Sequence, residues 1–100
     1  MQARIAVPVD KIGAFCRKWD IGELALFGSV LREDFSPQSD VDVLVAFTPE
    51  ARRSLFDLVE MRDELVELFG RKVDLVSQRG LRNPFRRHEI LNTRQVLYAA

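Results

Sequence analysis

The sequence contains a single cysteine, Cys16, among its 100 residues. One cysteine cannot form a disulfide within the chain, so a small disulfide-rich scaffold is excluded. Cys16 stands at helical spacing between Ile12 and Trp19. This spacing predicts a buried core side chain rather than a reactive thiol.

The chain also lacks a charge excess and a long apolar run. Lys and Arg together number 15, as do Asp and Glu, so the formal net charge is zero. A nucleic-acid or membrane-surface binder usually carries a basic excess, so no direct binding of nucleic acid is expected. No apolar run approaches the roughly 18 residues of a membrane span. The N-terminal stretch MQARIAVPVDKIGAF does not resemble a signal peptide, so the expected compartment is the cytoplasm.

Hydrophobic residues make up 47% of the chain, which is typical of a globular protein, and its length predicts a single domain over 1–100. Apolar periodicity, β-branched content and turn residues predict alternating helices and strands. This alternation favours an α/β class with helices packed on a sheet. The predicted elements are a helix over 8–19, strands over 23–27 and 40–47, a helical turn and loop over 30–39, a helix over 54–69, a strand over 72–77, a helix over 84–93 and a last strand over 95–98.

The segment 54–69 has the clearest helical pattern. Ser54 and Asp57 are spaced as a capping box, and Gly70 is placed to end the helix. The periodicity predicts an inward face, with the Arg62 stem at its margin. That face consists of Leu55, Leu58, Val59, Arg62, Leu65, Val66 and Phe69.

Two aspartates stand at the start of the apolar strand segment DVDVLVAF. Strand side chains alternate, so Asp40 and Asp42 are expected on one face, about 7 Å apart. Like charges so placed repel each other, and a divalent cation relieves that repulsion. Mg2+ binds through one or two carboxylates together with phosphates and water. The pair is therefore a candidate metal site.

Asp74 is the one charge within the apolar stretch VDLV. If its strand lies beside the strand of Asp42, three carboxylates can surround two metal ions, an arrangement that serves in-line displacement at phosphorus. Asp74 would then act as base, or as a ligand of the metal that lowers the pKa of an attacking hydroxyl. As an alternative, Asp74 could simply pair with Lys72 or Arg71 on the surface.

Gly28 and Ser29 end the apolar strand segment ELALF. A glycine after a strand lets backbone approach a ligand closely, and the following backbone N–H groups can face an anion. The Ser29 hydroxyl can donate to a phosphate oxygen. A Gly-Ser pair alone is a common turn and an Asp-x-Asp alone is weak, so the prediction depends on their joint order along the chain.

Arginines offer further candidates for phosphate binding. Arg32 can contact nucleotide phosphates or pair with the acidic residues at 33 and 34, and the sequence favours neither. The segment 79–94 contains five arginines and one glutamate, so it can steer a triphosphate or dock an acidic partner. An ordinary solvated helix face explains this composition equally well.

The order GS-x10-D-x-D, formed by Gly28, Ser29, Asp40 and Asp42, resembles the signature of the polymerase-β-like nucleotidyltransferase superfamily. The short chain is similar to the minimal nucleotidyltransferases, the MntA-type antitoxins encoded beside HEPN-domain toxins. The stretches ALFGSVLREDF, SDVDVLVAF and LFGRKVDLV carry the resemblance, which covers nearly the whole chain. One departure is visible, because many members read GSxARG where this chain reads GSVLRE, with Glu33 in place of glycine.

The resemblance implies a nucleotidyltransferase fold of the α+β type, with a small mixed sheet of three to four strands in the order 1-2-3. It implies an enzyme that uses ATP and two Mg2+ ions to transfer AMP to a hydroxyl, a tyrosine of a cognate HEPN-domain toxin, and so neutralises that toxin. It assigns nucleotide binding to Gly28, Ser29 and Arg32, and catalysis and metal binding to Asp40, Asp42 and Asp74. Glu33 would place an acid near the phosphates.

Two other functions stay open at the level of sequence. The chain could be a catalytically vestigial antitoxin that neutralises its partner by binding alone. It could also transfer a nucleotide to a small molecule. A chain of 100 residues leaves little room for an acceptor domain, but formation of a homodimer could still complete the acceptor site.

Overall fold

The computed structural model describes residues 7–32, 35–36 and 38–100. Every predicted helix and strand is present, with ends within two residues of those expected. The helical turn predicted after Gly28-Ser29 begins at Gly28 itself and is a 3-10 turn. The elements are α1 (Val9–Lys18), β1 (Ile21–Phe27), a 3-10 turn (Gly28–Leu31), β2 (Val41–Phe47), α2 (Leu55–Phe69), β3 (Val73–Ser77), a 3-10 turn (Gln78–Gly80), α3 (Pro84–Thr93) and β4 (Gln95–Ala99).

The four strands form one mixed sheet in the order β3-β2-β1-β4. β2 pairs with β3 in parallel, whereas β1 pairs antiparallel with both β2 and β4. The predicted order 1-2-3 is therefore present, and it differs in detail because β4 is added on the free side of β1. The parallel pair requires a crossover connection, which α2 provides.

Helices pack on both faces of this sheet. Side chains of α1 and α2 form one buried cluster with alternate residues of β1 and β2, among them Val41, Val43 and Val45. A smaller cluster on the other face joins Leu44 of β2 to Leu81 and Ile90 beside and within α3. The period-2 alternation of β2 therefore sends the valines toward α1 and α2 and the intervening residues toward α3. In the described part of the chain, no helix is long and apolar enough to cross a membrane.

Two predicted core residues lie in α1 and just after it. Cys16 is fully buried, and burial raises the pKa of its thiol to about 12, so the prediction of an inert core cysteine is confirmed. Trp19 is also buried, with the charged groups of Lys18 and Arg53 each 5.1 Å from its ring. Its indole N–H donates to Glu64 at 3.2 Å. Trp19 thus ties the end of α1 to α2.

The ends of α2 confirm the sequence prediction. Ser54 accepts from the Asp57 backbone N–H, and the Asp57 side chain accepts from the Ser54 N–H, which completes the capping box. Gly70 takes a left-handed conformation at the C-terminal end.

The predicted inward face of α2 is partly wrong. The fully buried residues of this helix are Met61 and Leu65, whereas Leu55 is 79% exposed and Val59 is 48% exposed. The helix has two apolar stripes, and the stripe through Met61 and Leu65 faces the sheet. β3 is an edge strand, so no further strand covers the stripe through Leu55, Val59 and Arg62.

This assignment of faces predicts opposite outcomes for two leucines of one helix. Leu65→Ala should lower the free energy of unfolding by about 2–5 kcal/mol, because it opens a cavity in the core. Leu55→Ala should change the free energy of unfolding by no more than about 0.5 kcal/mol, because its side chain already meets water. Urea denaturation followed by circular dichroism measures both. Equal losses for the two variants would contradict the assignment.

Candidate active site

The parallel register of β2 and β3 places Asp42 directly opposite Asp74. Both side chains point to the α3 face of the sheet, because Val43 and Val73 beside them pack in the opposite cluster. Asp40 lies one residue before β2 and is exposed. The structure therefore brings together the two strands that the sequence analysis placed side by side, and the three aspartates lie at their N-terminal ends.

The surface ion pair considered for Asp74 is not formed. Among the described residues, the Arg71 guanidinium instead donates to the Ser36 carbonyl at 3.4 Å and lies 4.8 Å from the Phe35 ring. Asp74 is exposed at the edge of the sheet, so its carboxylate is accessible to a ligand at the site.

Burial and several neighbouring charges act on the carboxyl of Asp42. Partial burial raises the pKa of its carboxyl, and the negative charges of Asp74 and Asp40 raise it further. A hydrogen bond from the Ser29 backbone N–H and the positive charge of Arg86 oppose this rise. The three carboxylates thus lie close enough to repel one another, as the sequence analysis expected.

Gly28 fits tightly against Asp42. Its φ of +74° lies in the left-handed region, and a Cβ at this position would overlap the Asp42 Oδ2 atom. Only glycine satisfies both conditions without strain. The 3-10 turn that Gly28 begins directs the Ser29 N–H at Asp42, while the Ser29 hydroxyl is 3.5 Å from the Asp40 carbonyl oxygen. The turn thus contacts both members of the Asp-x-Asp pair. Glu33, the departure from the family pattern, lies outside the described residues.

A cavity of about 450 Å3 opens beside Asp42, between the sheet and α3. This volume is within the range of small-molecule sites. Its lining combines apolar side chains with two carboxylates and two guanidinium groups. The lining residues are Phe27, Gly28, Leu31, Arg32, Asp42, Arg86, Glu89, Ile90 and Thr93.

Arg86, Glu89 and Thr93 were not singled out from the sequence. The available signal was the arginine-rich segment 79–94, but composition could not say which arginine faces the site. The structure separates them: the Arg87 side chain donates to the Gln78 carbonyl and the Arg94 side chain pairs with Glu23 at 2.8 Å. Arg86 alone of these three lines the cavity beside Asp42.

The donor set fits a hard divalent cation. Asp40, Asp42 and Asp74 offer only oxygen ligands, which Mg2+ prefers, and their mutual repulsion is the property that a cation relieves. Within the described residues, no group of three or more carboxylate, imidazole or thiol side chains is placed to hold a metal ion by itself. This open arrangement suits Mg2+ bound jointly by protein carboxylates and substrate phosphates rather than by protein alone.

The fold and this site agree with comparisons to known proteins. A family model described as "Nucleotidyltransferase domain" matches residues 11–97. A protein of Methanocaldococcus jannaschii, provisionally named a protein adenylyltransferase, is 34% identical over 82 residues, or 82% of this chain and 85% of that relative. Protein adenylyltransferase MntA of Thermococcus cleftensis is 36% identical over 66 residues, or 66% of this chain and 65% of that relative.

Solved structures show the same architecture. One that is provisionally described as a minimal nucleotidyltransferase has a TM-score of 0.72 and 33% identity, covering 87% of this chain and 86% of that chain. A chain of a toxin–antitoxin structure with AMP-PNP has a TM-score of 0.75 at 20% identity, covering 94% and 75%. A chain from the complex of tri-AMPylated Shewanella oneidensis HEPN toxin with MNT antitoxin has a TM-score of 0.66 at 19% identity, covering 92% and 70%. At these lower identities the likeness is one of fold.

The chain belongs to the nucleotidyltransferase domain family. Within that class it is a nucleotidyltransferase enzyme whose curated relatives carry the name of protein adenylyltransferases.

The contact between Gly28 and Asp42 predicts a specific stability defect. Gly70→Ala should cost about 1 kcal/mol, because Gly70 has a φ of +70° but nothing near its Cβ position. Gly28→Ala should cost clearly more, because the same backbone strain is joined by overlap with Asp42. Denaturant unfolding measures both, and the double variant Gly28→Ala/Asp42→Ala should recover the excess. Equal costs for the two glycines would contradict the close contact.

The raised pKa of Asp42 predicts a pH-dependent stability change. Because the pKa of Asp42 is higher in the folded chain than in the unfolded chain, folding favours the protonated carboxyl. The stabilisation that this preference gives is complete below the ordinary pKa of 3.8, and it is lost as the pH rises through the folded-state pKa. Asp42→Asn should therefore raise the free energy of unfolding at pH 7 in metal-free buffer. The gain should shrink toward zero at acidic pH.

Asp40→Asn is the matched control, since Asp40 is exposed and its neutralisation should change stability less. Urea titrations at a series of pH values measure both variants. A loss of stability for Asp42→Asn at pH 7 would contradict the burial and repulsion described.

Proposed function

We propose that this chain is an antitoxin that transfers AMP from ATP to a hydroxyl, a tyrosine, of a HEPN-domain toxin and thereby neutralises it. The observation that carries this proposal is the pairing of Asp42 with Asp74 beside a cavity that Arg86 also lines. The names of the curated relatives support AMP as the transferred group and a protein as the acceptor. The neighbouring toxin–antitoxin folds, one with AMP-PNP and one with an AMPylated HEPN toxin, support ATP and the kind of partner.

ATP is proposed to occupy the cavity between the sheet and α3. Arg32 and Arg86 line it and offer positive charge to the phosphates. Gly28 also lines the cavity and lets backbone approach the nucleotide closely, and the Ser29 hydroxyl is proposed to donate to a phosphate oxygen. Phe27 and Ile90 give the apolar surface against which a nucleobase can pack. The cytoplasm, where ATP is available, is the proposed compartment.

Asp40 and Asp42 would hold Mg2+ together with the nucleotide phosphates, and Asp74 would share in a second site. When bound there, the metal would neutralise phosphate charge and lower the pKa of a nearby hydroxyl. The Ser29 N–H orients the Asp42 carboxylate for this task.

Asp74 is proposed as the base. A carboxylate oxygen of Asp74 takes the proton of the acceptor hydroxyl, whose oxygen then forms a bond to the α-phosphorus. The bond between that phosphorus and the bridging oxygen to the β-phosphate breaks, and pyrophosphate leaves. Arg86 and Arg32 can stabilise the negative charge that grows on the departing phosphates.

The proposal predicts covalent AMP on the partner protein. Incubation of the HEPN-domain product of the neighbouring gene with this chain, ATP and Mg2+ should raise the intact mass of that partner in steps of one AMP unit. Asp40→Ala/Asp42→Ala should reduce the rate at least about a hundredfold, because charge neutralisation at the phosphates is lost. Mass spectrometry of the intact partner over time measures the rate.

Asp10→Ala/Glu67→Ala is the matched control, since both of these carboxylates are exposed on helices and neither lines the cavity beside Asp42. It should transfer AMP at the parental rate. No mass gain with the parent protein, together with a complex that Asp40→Ala/Asp42→Ala also forms, would overturn the enzymatic proposal in favour of neutralisation by binding alone. Near-parental turnover by Asp42→Asn would overturn the metal-binding role proposed for the Asp42 carboxylate.

A further inference from the structure

A second cavity borders the same carboxylates from another side. It has a volume of about 490 Å3 and lies between α2 and the edge strand β3. We call it the α2–β3 groove and define it by Leu55, Val59 and Arg62 of α2, Asp74 and Leu75 of β3, and Asp40. Asp42 lines the first cavity, whereas Asp40 and Asp74 line this one. Asp40, Asp42 and Asp74 therefore lie between two separate cavities.

The α2 wall of this groove is apolar and exposed. Leu55 is 79% exposed and Val59 is 48% exposed, one helical turn apart on the stripe that the sheet leaves uncovered. Single exposed apolar residues are common on protein surfaces, but Leu55 and Val59 line the same groove as Asp40 and Asp74. Its surface suits a partner with apolar side chains better than a small polar acceptor.

The charges of the groove restrict its occupant further. Arg62 is the one cation of its lining, and its contact to Asp63 is an exposed pair at 3.4 Å, the kind that contributes little. Its guanidinium can therefore exchange that contact for a carboxylate of a partner. Asp40 and Asp74 carry the opposite charge at the inner end, so an acidic side chain is disfavoured there and a neutral hydroxyl is accepted.

We propose that the α2–β3 groove binds the acceptor segment of the partner protein. An apolar side chain of that segment would pack on Leu55 and Val59, an acidic one would pair with Arg62, and a hydroxyl would reach Asp74. This inference rests on the proposed function and adds the acceptor subsite to it. The nucleotide and the acceptor then approach the carboxylates from different cavities, so changes in the α2 wall of the groove affect the acceptor alone.

The test is Leu55→Ser/Val59→Ser, with Val9→Ser/Val96→Ser as the matched control. The control removes two apolar side chains that are 66% and 43% exposed, on α1 and on the opposite edge strand β4. The probe is the HEPN-domain product of the neighbouring gene, with ATP and Mg2+. The groove variant should raise KM for this partner at least tenfold with little change in its KM for ATP, and the control should change neither. Arg62→Glu should raise the same KM, whereas Arg62→Lys should largely preserve it.

A photocrosslinking residue at position 59 provides a second readout that does not depend on the stability of the serine variants. It should capture the partner peptide that carries the AMP-accepting residue, and the same residue at position 96 should not. If the parent protein transfers AMP and the groove variant keeps the parental KM for the partner, the groove inference is overturned and the proposed function stands. If the parent transfers no AMP, both are overturned. Capture of the acceptor peptide from position 96 and not from 59 would also overturn the groove inference.

Discussion

The parallel pairing of β2 with β3 is the constraint on which the site depends, because it fixes Asp42 opposite Asp74. Like charges on neighbouring strands, about 5 Å apart, repel by at most about 3 kcal/mol at an effective dielectric constant of about 20, and the exposure of Asp74 to solvent reduces this value. Each valine buried on the opposite face of β2 contributes about 1.5–3 kcal/mol. Val41, Val43 and Val45 are all fully buried. Core packing on one face of the strand therefore outweighs the repulsion between carboxylates on the other.

The layers of the fold contribute different chemistry to one small region. The sheet supplies the carboxylates, and the turn after β1 holds the Asp42 carboxylate through the Ser29 N–H. α3 brings Arg86 to one side of these groups, and α2 brings an exposed apolar stripe to the other. The position of α2 follows from the sheet topology, because a parallel pair needs a crossover and the crossover must lie beside the strands it joins.

Much of this could be read from the sequence, because the informative features are local. Strand alternation, the cap at Ser54 and the glycine stop at Gly70 act within a few residues, and each was predicted correctly. The inward face of α2 was not predicted correctly, because the helix has two stripes of similar hydrophobicity. Only the width of the sheet determines which of the two stripes is buried. The choice of Arg86 among five arginines also depends on how α3 docks, which no local pattern encodes. The roles of Gly28, Ser29, Arg32 and the three aspartates in substrate binding stay predictions.

Trp19 gives the protein a built-in optical reporter. It is the one tryptophan of the chain, and it sits between α1 and α2 with cations near its ring and Glu64 on its N–H. Its emission therefore reports on the docking of these two helices, on the face of the sheet that the valines of β2 occupy. The Asp42 cavity lies on the other face. Trp19 fluorescence can therefore be used to follow the integrity of the core. A ligand in the Asp42 cavity does not contact Trp19, so its binding does not quench this fluorescence by contact.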